Sequence, residues 1–230
     1  MDQRLYEALK DVPVFREVDP AGLTELARLA RARICRPHEV VVRQGDQGDC
    51  VFIISTGFLK VCVAGPSGSM STLCVVGPGE IFGELSLLDG GPRSATVTAI
   101  TRADLVALDR EPFLELLASR PRVAIAIMEV LARRVRRLSE RSDDLTGMRV
   151  GSRLAKQLLL LAENHAHQLG PTRLRLGVKL SQRELGELVG ATRESVNKNL
   201  SALRDGGAVA DDGGYVVITN LDLLRSIAAN

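Results

Sequence analysis

The first 33 residues carry apolar residues three and four positions apart, which is the spacing of amphipathic helices. Asp19–Pro20 is typical of a helix start, because an acidic N-cap is followed by proline in the first turn. The sequence therefore predicts helical structure in this segment. The apolar positions are Leu5, Leu9, Val12, Leu23, Leu26, Leu29 and Ala30.

The pattern changes from Val40 to about Leu108, where short runs of Val, Ile, Phe and Thr are separated by turn residues. Many short strands at close spacing favour a sandwich or a barrel. After them, Asp109–Phe113 is typical of a capped helix start, and we expect that helix to run to Leu117. The turn signals are Gly45–Asp46, Gly48–Asp49, Gly57, Gly65–Pro66, Gly68, Gly77–Pro78 and Gly90–Gly91.

A long helix is predicted after Pro121, because no helix breaker occurs before Gly147. Its apolar residues repeat with heptad spacing, so two copies of the helix could pair as a coiled coil. The alternative is a single helix that lies across its own domain and presents a solvated basic face. The seam is Met128, Leu131, Val135, Leu138 and Leu145, with Ser142 completing the spacing, and it is flanked by Arg133, Arg134, Arg136, Arg137 and Arg141.

Gly147 and Gly151 bracket a predicted hinge, which is followed by a helix over Arg153–Ala162. Gly170–Pro171 is typical of a linker. The alternation in Thr172–Val178 then predicts a small strand pair.

Residues 180–203 predict two short helices joined by a tight turn. Ser181 and Glu184 form a capping box for the first helix, Gly190 permits the turn, and Thr192 caps the second helix. Such a pair is a helix-turn-helix, whose second helix enters the DNA major groove. Ala208–Ile218 then predicts a hairpin with an Asp-Gly-Gly turn, which makes the domain winged. The outward residues of the second helix are Arg193, Glu194, Asn197 and Lys198.

Composition and charge narrow the class of protein. With 230 residues, 45% of them hydrophobic and 25% charged, the chain is a globular protein of one large or two small domains. Residues 1–120 hold 13 Lys/Arg against 16 Asp/Glu, and residues 121–230 hold 17 against 12, so only the rear half is basic. This asymmetry points to a polyanion partner for the rear half. Without an apolar run of roughly 20 residues or a signal-peptide region, we expect a cytoplasmic protein.

No constellation of catalytic or metal-binding residues is evident. The cysteines lie far apart without a Cys-x-x-Cys pair, and His165 and His167 fall at a predicted helix end. We therefore expect no metal, haem or iron–sulfur cluster, and no enzymatic activity. The cysteines, which we expect as buried free thiols, are Cys35, Cys50, Cys62 and Cys74.

Residues 79–99 combine groups that suit a phosphate carrying a ribose. Glycine allows close approach of the backbone, free N–H groups at a helix start attract an anion, and an arginine fork matches phosphate oxygens. Glu84 can accept a hydrogen bond from a sugar hydroxyl, while Arg93 and Ser94 follow nine and ten residues later. The alternative is a turn in which Glu84 and Arg93 form a purely structural ion pair.

This segment resembles the phosphate-binding cassette of cyclic-nucleotide-binding domains, and the helix pair resembles the recognition motif of the cAMP receptor protein/FNR family of bacterial transcription regulators. The resemblance implies an α+β fold: a β-roll sensor domain over residues 1–120, a dimerisation helix over 121–147, and a winged helix-turn-helix domain over 148–230. It implies core strands at Val51–Ile54 and Leu59–Val63.

The resemblance also implies the ligand residues. Glu84 would hold the ribose hydroxyl, Arg93 and Ser94 the cyclic phosphate, and Arg134 would extend from the long helix towards Glu84. The cAMP-responsive members commonly place a Thr–Ser pair on that helix to meet adenine, whereas this chain has Leu138 and Ser139. cAMP is the expected ligand. The expected set is Gly83, Glu84, Leu85, Arg93, Ser94, Arg134 and Ser139.

Two alternatives remain at the sequence level. Leu138 would tighten the dimer with or without ligand, which suits a regulator that binds DNA constitutively or responds to another ligand. The nucleotide domain also controls enzymes, although the remaining residues contain neither a catalytic domain nor membrane spans.

On the DNA side, the resemblance implies a homodimer on a palindromic site and RNA polymerase as a partner. Arg193 would bind guanine, Glu194 cytosine, and Lys198 a third base or a phosphate. Asn197 is another candidate base reader, and Ser181 and Arg183 are candidates for phosphate contacts. The expected DNA-binding set is Ser181, Arg183, Thr192, Arg193, Glu194, Asn197 and Lys198.

Overall fold

A computed structural model describes residues 3–65, 70–170 and 173–229. The chain forms two compact units, residues 1–136 and 137–230. Four sequence predictions lie partly or wholly outside the described residues: the turn signals at Gly65–Pro66 and Gly68, the linker Gly170–Pro171, and the strand pair over Thr172–Val178.

The first unit begins with helices, as the sequence predicts. Asp19 caps the second helix, since its carboxylate accepts a hydrogen bond from the Gly22 amide at 3.3 Å. A short 3-10 turn over Pro13–Phe15 lies between the two helices. They are α1 (Gln3–Lys10) and α2 (Pro20–Leu29).

Among the described residues of this unit, two antiparallel four-stranded sheets follow the helices, and they confirm the predicted β-roll. One sheet has the order β1-β8-β3-β6 and the other β2-β7-β4-β5. The strands are β1 (Arg31–Cys35), β2 (Val40–Val42), β3 (Cys50–Thr56), β4 (Leu59–Ala64), β5 (Met70–Val76), β6 (Ile81–Phe82), β7 (Thr96–Ala99) and β8 (Ala103–Asp109).

Alternate residues of β3 serve two cores, because successive side chains of a strand point to opposite faces. Phe52 and Ile54 are buried with residues of the second sheet, such as Leu59. Val51 and Ile53 are buried with the helices instead. The first sheet is thus covered on both faces, which explains the nearly continuous apolar sequence of β3.

The helices that follow in the described residues are α3 (Glu84–Asp89), α4 (Arg110–Ser119) and α5 (Pro121–Gly147). The boundary between the two units falls within α5. Asp109 precedes α4 as predicted, but its carboxylate pairs with Arg31 at 2.5 Å instead of capping the helix. Val123 and Ile127 anchor the start of α5 in the helix-covered core. Of the predicted seam, Leu131 is partly buried against that core, whereas Met128 and Val135 are exposed.

In its described residues, the second unit holds one four-stranded sheet, in the order β11-β12-β10-β9, and four helices. In chain order, its helices and strands are α6 (Val150–His165), β9 (Ala166–Gln168), β10 (Leu174–Leu176), α7 (Gln182–Val189), α8 (Arg193–Asp205), β11 (Val209–Asp212), β12 (Tyr215–Ile218) and α9 (Leu221–Ala228).

In this unit, the structure confirms the predicted helix-turn-helix and the predicted hairpin. The predicted helix over Arg153–Ala162 is longer at both ends, so Gly151 lies inside α6. A strand pair was predicted within Thr172–Val178. The structure has β10 in that stretch, but its partner β9 lies before it in the sequence. Helix α9, which packs on α6, was not predicted.

Candidate functional site

Gly83 makes the turn that starts the cassette (residues 79–99). It ends β6 and takes φ +85°, a left-handed conformation that favours glycine. A Cβ at this position would lie 2.5 Å from Nη1 of Arg93. Glycine is thus required both for the backbone and for the space that Arg93 occupies.

The buried carboxylate of Glu84 is held on one side only. Its Oε1 accepts a hydrogen bond from Nη1 of Arg134 at 2.6 Å. Arg134 also donates from Nη2 to the carbonyl of Ile81, which fixes the guanidinium beside the cassette. The other oxygen, Oε2, is buried without a hydrogen-bond partner. Because buried carboxylate oxygens normally have donors, this atom marks a place for a hydroxyl or N–H group.

Arg93 is also buried, and neutral acceptors surround it. Nη1 donates to the Gly83 carbonyl at 2.8 Å and to Oγ of Ser86 at 3.1 Å, and Nη2 donates to the Cys50 carbonyl at 2.8 Å. The carboxylate paired with it, that of Asp49, lies 3.8 Å away and is 85% exposed. Such a distant, solvated partner compensates a buried charge weakly. Arg93 therefore suits an anionic ligand.

The structural ion pair between Glu84 and Arg93, which the sequence left open, does not occur among the described residues. Glu84 pairs with Arg134, and Arg93 pairs with Asp49. Two further expected ligand residues, Leu85 and Ser94, are exposed at the cassette surface. Ser139 is exposed on α5, in the part of that helix that belongs to the second unit.

A cavity of about 460 Å³ is lined by Arg93 together with residues of β1, β2 and β3. The guanidinium groups of Arg33 and Arg93 lie 5.6 and 5.8 Å from the centre of the Phe52 ring. Burial raises the pKa of the Cys50 thiol to about 11, with Asp49 adding to the effect, so this thiol stays protonated. Glu84 and Ser94 do not line the cavity. Its lining is Arg31, Ala32, Arg33, Val41, Val42, Asp46, Gln47, Asp49, Cys50, Phe52, Arg93 and Ala107.

Sequence reasoning missed Ser86, Cys50 and Gly48 at this site. Gly48 appeared only as a turn signal, yet a Cβ there would collide with Oγ of Ser86 and lie 2.9 Å from Cζ of Arg93. Ser86 sits directly after the Gly-Glu-Leu turn, which was the one sequence signal that could have drawn attention to it.

The helix-turn-helix is built by its caps. Ser181 Oγ accepts from the Glu184 amide at 3.2 Å, and Glu184 Oε2 accepts from the Ser181 amide at 2.8 Å, which confirms the capping box. Thr192 Oγ1 accepts from the Ser195 amide at 3.2 Å. Gly190 adopts φ +62° at the end of α7. These local bonds fix where α8 begins.

Arg153 locks the same turn from α6, a role that the sequence did not reveal. Its Nε donates to the Val189 carbonyl at 2.9 Å, and its Nη1 donates to the Met148 carbonyl at 2.8 Å. Gly186 permits a close approach on the other side, because a Cβ there would lie 2.6 Å from the Ala191 carbonyl oxygen. The turn between α7 and α8 is therefore held rigidly.

The predicted DNA-reading residues share an exposed face of α8. Arg193, Glu194, Asn197 and Lys198 are all exposed. Hydrogen bonds from its own backbone amide and from the Thr192 hydroxyl lower the pKa of Glu194, so it stays ionised as a hydrogen-bond acceptor at neutral pH.

Helix α7 contributes to this face from one side. Nε2 of Gln182 donates to Oδ1 of Asn197 at 2.9 Å, and this bond orients the Asn197 amide. Ser181 and Arg183 are exposed at the start of α7, and Arg183 forms an ion pair with Glu187 at 3.5 Å. The expected phosphate contacts and base readers thus lie on two neighbouring helices that are directly bonded.

Metal-binding clusters and membrane-spanning helices are both absent from the described part of the chain. No group of three or more His, Cys, Asp or Glu residues there could hold a metal ion. None of the helices in the described ranges is both long and apolar enough to cross a membrane.

The comparison with solved structures supports the fold. FixK2 from Bradyrhizobium japonicum has a TM-score of 0.76 at 22% identity, covering 87% of this chain and 98% of that one. The catabolite activator protein of Thermus thermophilus is 32% identical with a TM-score of 0.53, covering 94% and 98%.

Comparison of sequences supports the family. Residues 32–120 match the family model of a cyclic nucleotide-binding domain, and residues 152–227 match that of a Crp-like helix-turn-helix domain. A "CRP-like cAMP-activated global transcriptional regulator" of Mycobacterium tuberculosis is 36% identical, over 95% of this chain and 97% of its own. A "Cyclic AMP receptor protein" of Thermus thermophilus is 33% identical, over 96% and 98%. The chain therefore belongs to the cAMP receptor protein/FNR family of DNA-binding transcription regulators, with a cyclic nucleotide-binding domain and a helix-turn-helix domain.

Proposed function

We propose that this regulator is a homodimer whose DNA binding is controlled by a cyclic nucleotide, with cAMP as the ligand. The observation that carries the proposal is that Glu84 and Arg93, both buried, are not paired with each other. Glu84 retains an unpartnered oxygen for a ribose hydroxyl, and Arg93 retains a charge that a phosphate would compensate. The names of the relatives from Mycobacterium tuberculosis and Thermus thermophilus support cAMP.

In this proposal, Gly83, Leu85 and Ser94 supply backbone or hydroxyl donors around the phosphate. Arg134 links Glu84 to α5, and Ser139 is the remaining hydroxyl for the base. The proposed division into a sensor domain (1–120), a dimerisation helix (121–147) and a DNA-binding domain (148–230) follows from these roles.

The exposed apolar row on α5 supports the homodimer. Val135 is 63% exposed and Leu138 is 47% exposed, which is unusual for large apolar residues that repeat with heptad spacing. Pairing of two copies through residues 121–147 would cover this row. The same Leu138 supports a second candidate function, a regulator that binds DNA without ligand or responds to another ligand, because leucine provides no hydroxyl for a base.

On DNA, the two α8 helices of the dimer would enter successive major grooves of a palindromic site, roughly 34 Å apart. Arg193 would read guanine, Glu194 cytosine, and Asn197 and Lys198 further positions, while Ser181 and Arg183 contact phosphates and Thr192 fixes the start of α8. As a regulator of bacterial transcription, the protein would meet RNA polymerase in the cytoplasm.

Calorimetry with cAMP and cGMP tests the ligand. We expect wild type to bind cAMP, and Arg93→Ala to lose roughly tenfold or more in affinity, because it loses charge-assisted hydrogen bonds. Arg28→Ala, which removes an exposed arginine of α2, serves as the control and should bind like wild type. Absence of heat from wild type with either nucleotide would disprove cyclic-nucleotide control.

DNA binding measured with and without nucleotide then separates the two candidates. A site selected from a random DNA library is used at a fixed salt concentration, because phosphate contacts make affinity strongly salt-dependent. Tighter binding with cAMP supports the proposal, and equal binding supports the constitutive regulator.

A further inference from the structure

One nitrogen of the Arg93 guanidinium, Nη1, has both of its N–H groups bonded within the protein. An Nη atom of arginine carries two N–H groups, and for Nη1 both have acceptors, the Gly83 carbonyl and the Ser86 hydroxyl. Nη2 donates to the Cys50 carbonyl, which lies 43 residues away in sequence. A phosphate that is gripped by Nη1 must displace one of these acceptors.

Ser86 is the acceptor that is weakest and easiest to displace. Its bond to Nη1 is 3.1 Å long, whereas each carbonyl bond is 2.8 Å. The carbonyls belong to the backbone of the turn and of β3, but a hydroxyl can rotate about its own side chain. Oγ of Ser86 also donates to the Gly83 carbonyl at 3.1 Å, so it keeps a partner when Arg93 leaves.

We call the position of Arg93 in which Nη1 is bonded to Gly83 and Ser86 the inward position. The surroundings are shaped to accept Arg93 there. Gly48 and Gly83 lack the Cβ atoms that would fill the space of Ser86 and Arg93. The Phe52 ring lies 5.8 Å from Cζ of Arg93, within the range of a cation–π contact. The inward position is therefore a formed site between β3 and α3, and it competes with any other position of the Arg93 side chain.

We propose that Ser86 is a positioning residue of the nucleotide site, whose hydroxyl holds Arg93 inward and is exchanged for the phosphate when the nucleotide binds. This inference rests on the proposed function. It follows that the apparent affinity is reduced by the fraction of molecules in which Arg93 is still held by Ser86.

The binding test compares wild type with Ser86→Ala. Removing one hydrogen bond from the inward position should raise cAMP affinity about fivefold. The gain should lie in the association rate, with the dissociation rate unchanged, because Ser86 is not bonded to Arg93 in the complex. Unchanged or weaker affinity, with wild type binding normally, would overturn the inference and leave the proposed function intact.

Two further variants serve this test, one as a substitute for Ser86→Ala and one as a control. Ser86→Gly removes the same hydroxyl, so it replaces Ser86→Ala if that protein fails to fold. Ser152→Ala removes the hydroxyl of another buried serine, in α6, and should leave both rates as in wild type. A change in Ser152→Ala equal to that in Ser86→Ala would also overturn the inference.

A ligand-free measurement tests the hold of Ser86 on Arg93 by itself, whether or not a nucleotide binds. Nitrogen-15 NMR of the arginine side chains, with Arg93 assigned through Arg93→Lys, reports rotation of its guanidinium. We expect separate, slowly exchanging Nη signals for Arg93 in wild type and at least severalfold faster exchange in Ser86→Ala. If Arg93 in wild type exchanges as fast as the exposed Arg28, the inward position is not occupied and the inference is wrong.

Discussion

The nucleotide cassette and the recognition helix α8 present their charged groups in opposite ways. Glu84 and Arg93 are buried and bonded to other parts of the first unit. Arg193 and Lys198 are exposed on α8. A phosphate held by Nη1 of Arg93 must therefore replace an existing bond, whereas DNA adds bonds to groups that water now solvates. We infer that the cassette can couple ligand binding to a rearrangement of the protein and that α8 acts as a rigid reader.

Removing Arg134, the partner of the buried Glu84 carboxylate, is expected to have the largest effect and tests the contrast between the buried and the exposed charges. Arg134→Ala should lower the free energy of unfolding of the ligand-free protein by about 3 kcal/mol, because Glu84 is left buried without its cation. Urea unfolding measures the change.

Arg133 provides the control, since it is the neighbouring arginine and forms an exposed ion pair with Glu129 at 3.8 Å. Arg133→Ala should cost about 0.5 kcal/mol or less. Equal effects of the two substitutions would show that the Glu84 site tolerates an unpaired charge, and the contrast between the two regions would then disappear.

On the exposed side, the largest effect is expected on DNA and not on stability. Arg193→Ala should lower affinity for the selected site by about 2 kcal/mol, the cost of one bidentate base contact, and leave weak binding to random DNA largely intact. Arg225→Ala, on α9, removes a cation that pairs with Asp222 and should change neither affinity. An equal loss on both kinds of DNA would mean that Arg193 contacts phosphate instead of a base.

The sequence also predicted the contacts of the helix-turn-helix better than those of the nucleotide cassette. The capping box of Ser181 and the cap at Thr192 depend on residues three positions apart, so local pattern was sufficient to predict them. The contacts of Arg93 join residues 7, 10 and 43 positions apart, and they depend on how β3 lies beside the cassette. Only the fold supplies that information. The pairing of Arg134 with Glu84, 50 residues apart, was expected from family resemblance alone.

Fold-level predictions show the same division. Short apolar runs and turn residues predicted many short strands, and the family resemblance specified the β-roll; both are present. The role of Arg153 was missed, because it depends on two carbonyls, those of Met148 and Val189, that come together only when α6 packs against α7. Helix α9 was missed as well, although Asn220 caps its start by accepting a hydrogen bond from the Leu223 amide at 3.0 Å.

A smaller effect concerns the thiol that lies against Arg93. The folded protein raises the pKa of Cys50 from 9.0 to about 11. A raised pKa stabilises the fold fully below the unfolded value, and the contribution is lost as the pH rises from 9 towards 11. Between pH 8 and pH 10, wild type should lose about 1 kcal/mol more unfolding free energy than Cys50→Ala. Parallel pH curves for the two proteins would contradict the burial of this group.

The smallest expected effect probes whether α8 is as rigid as the comparison requires. Gln182 orients Asn197 through one exposed hydrogen bond of 2.9 Å, so Gln182→Ala should weaken binding to the selected site about two- to threefold, or roughly 0.5 kcal/mol. Asn164→Ala, which removes an exposed amide bonded within α6, is the control. Because Gln182 would act through Asn197, the double variant should be no weaker than Asn197→Ala alone. Additive losses would mean that Gln182 contacts DNA directly, and that the face of α8 is not pre-positioned by α7.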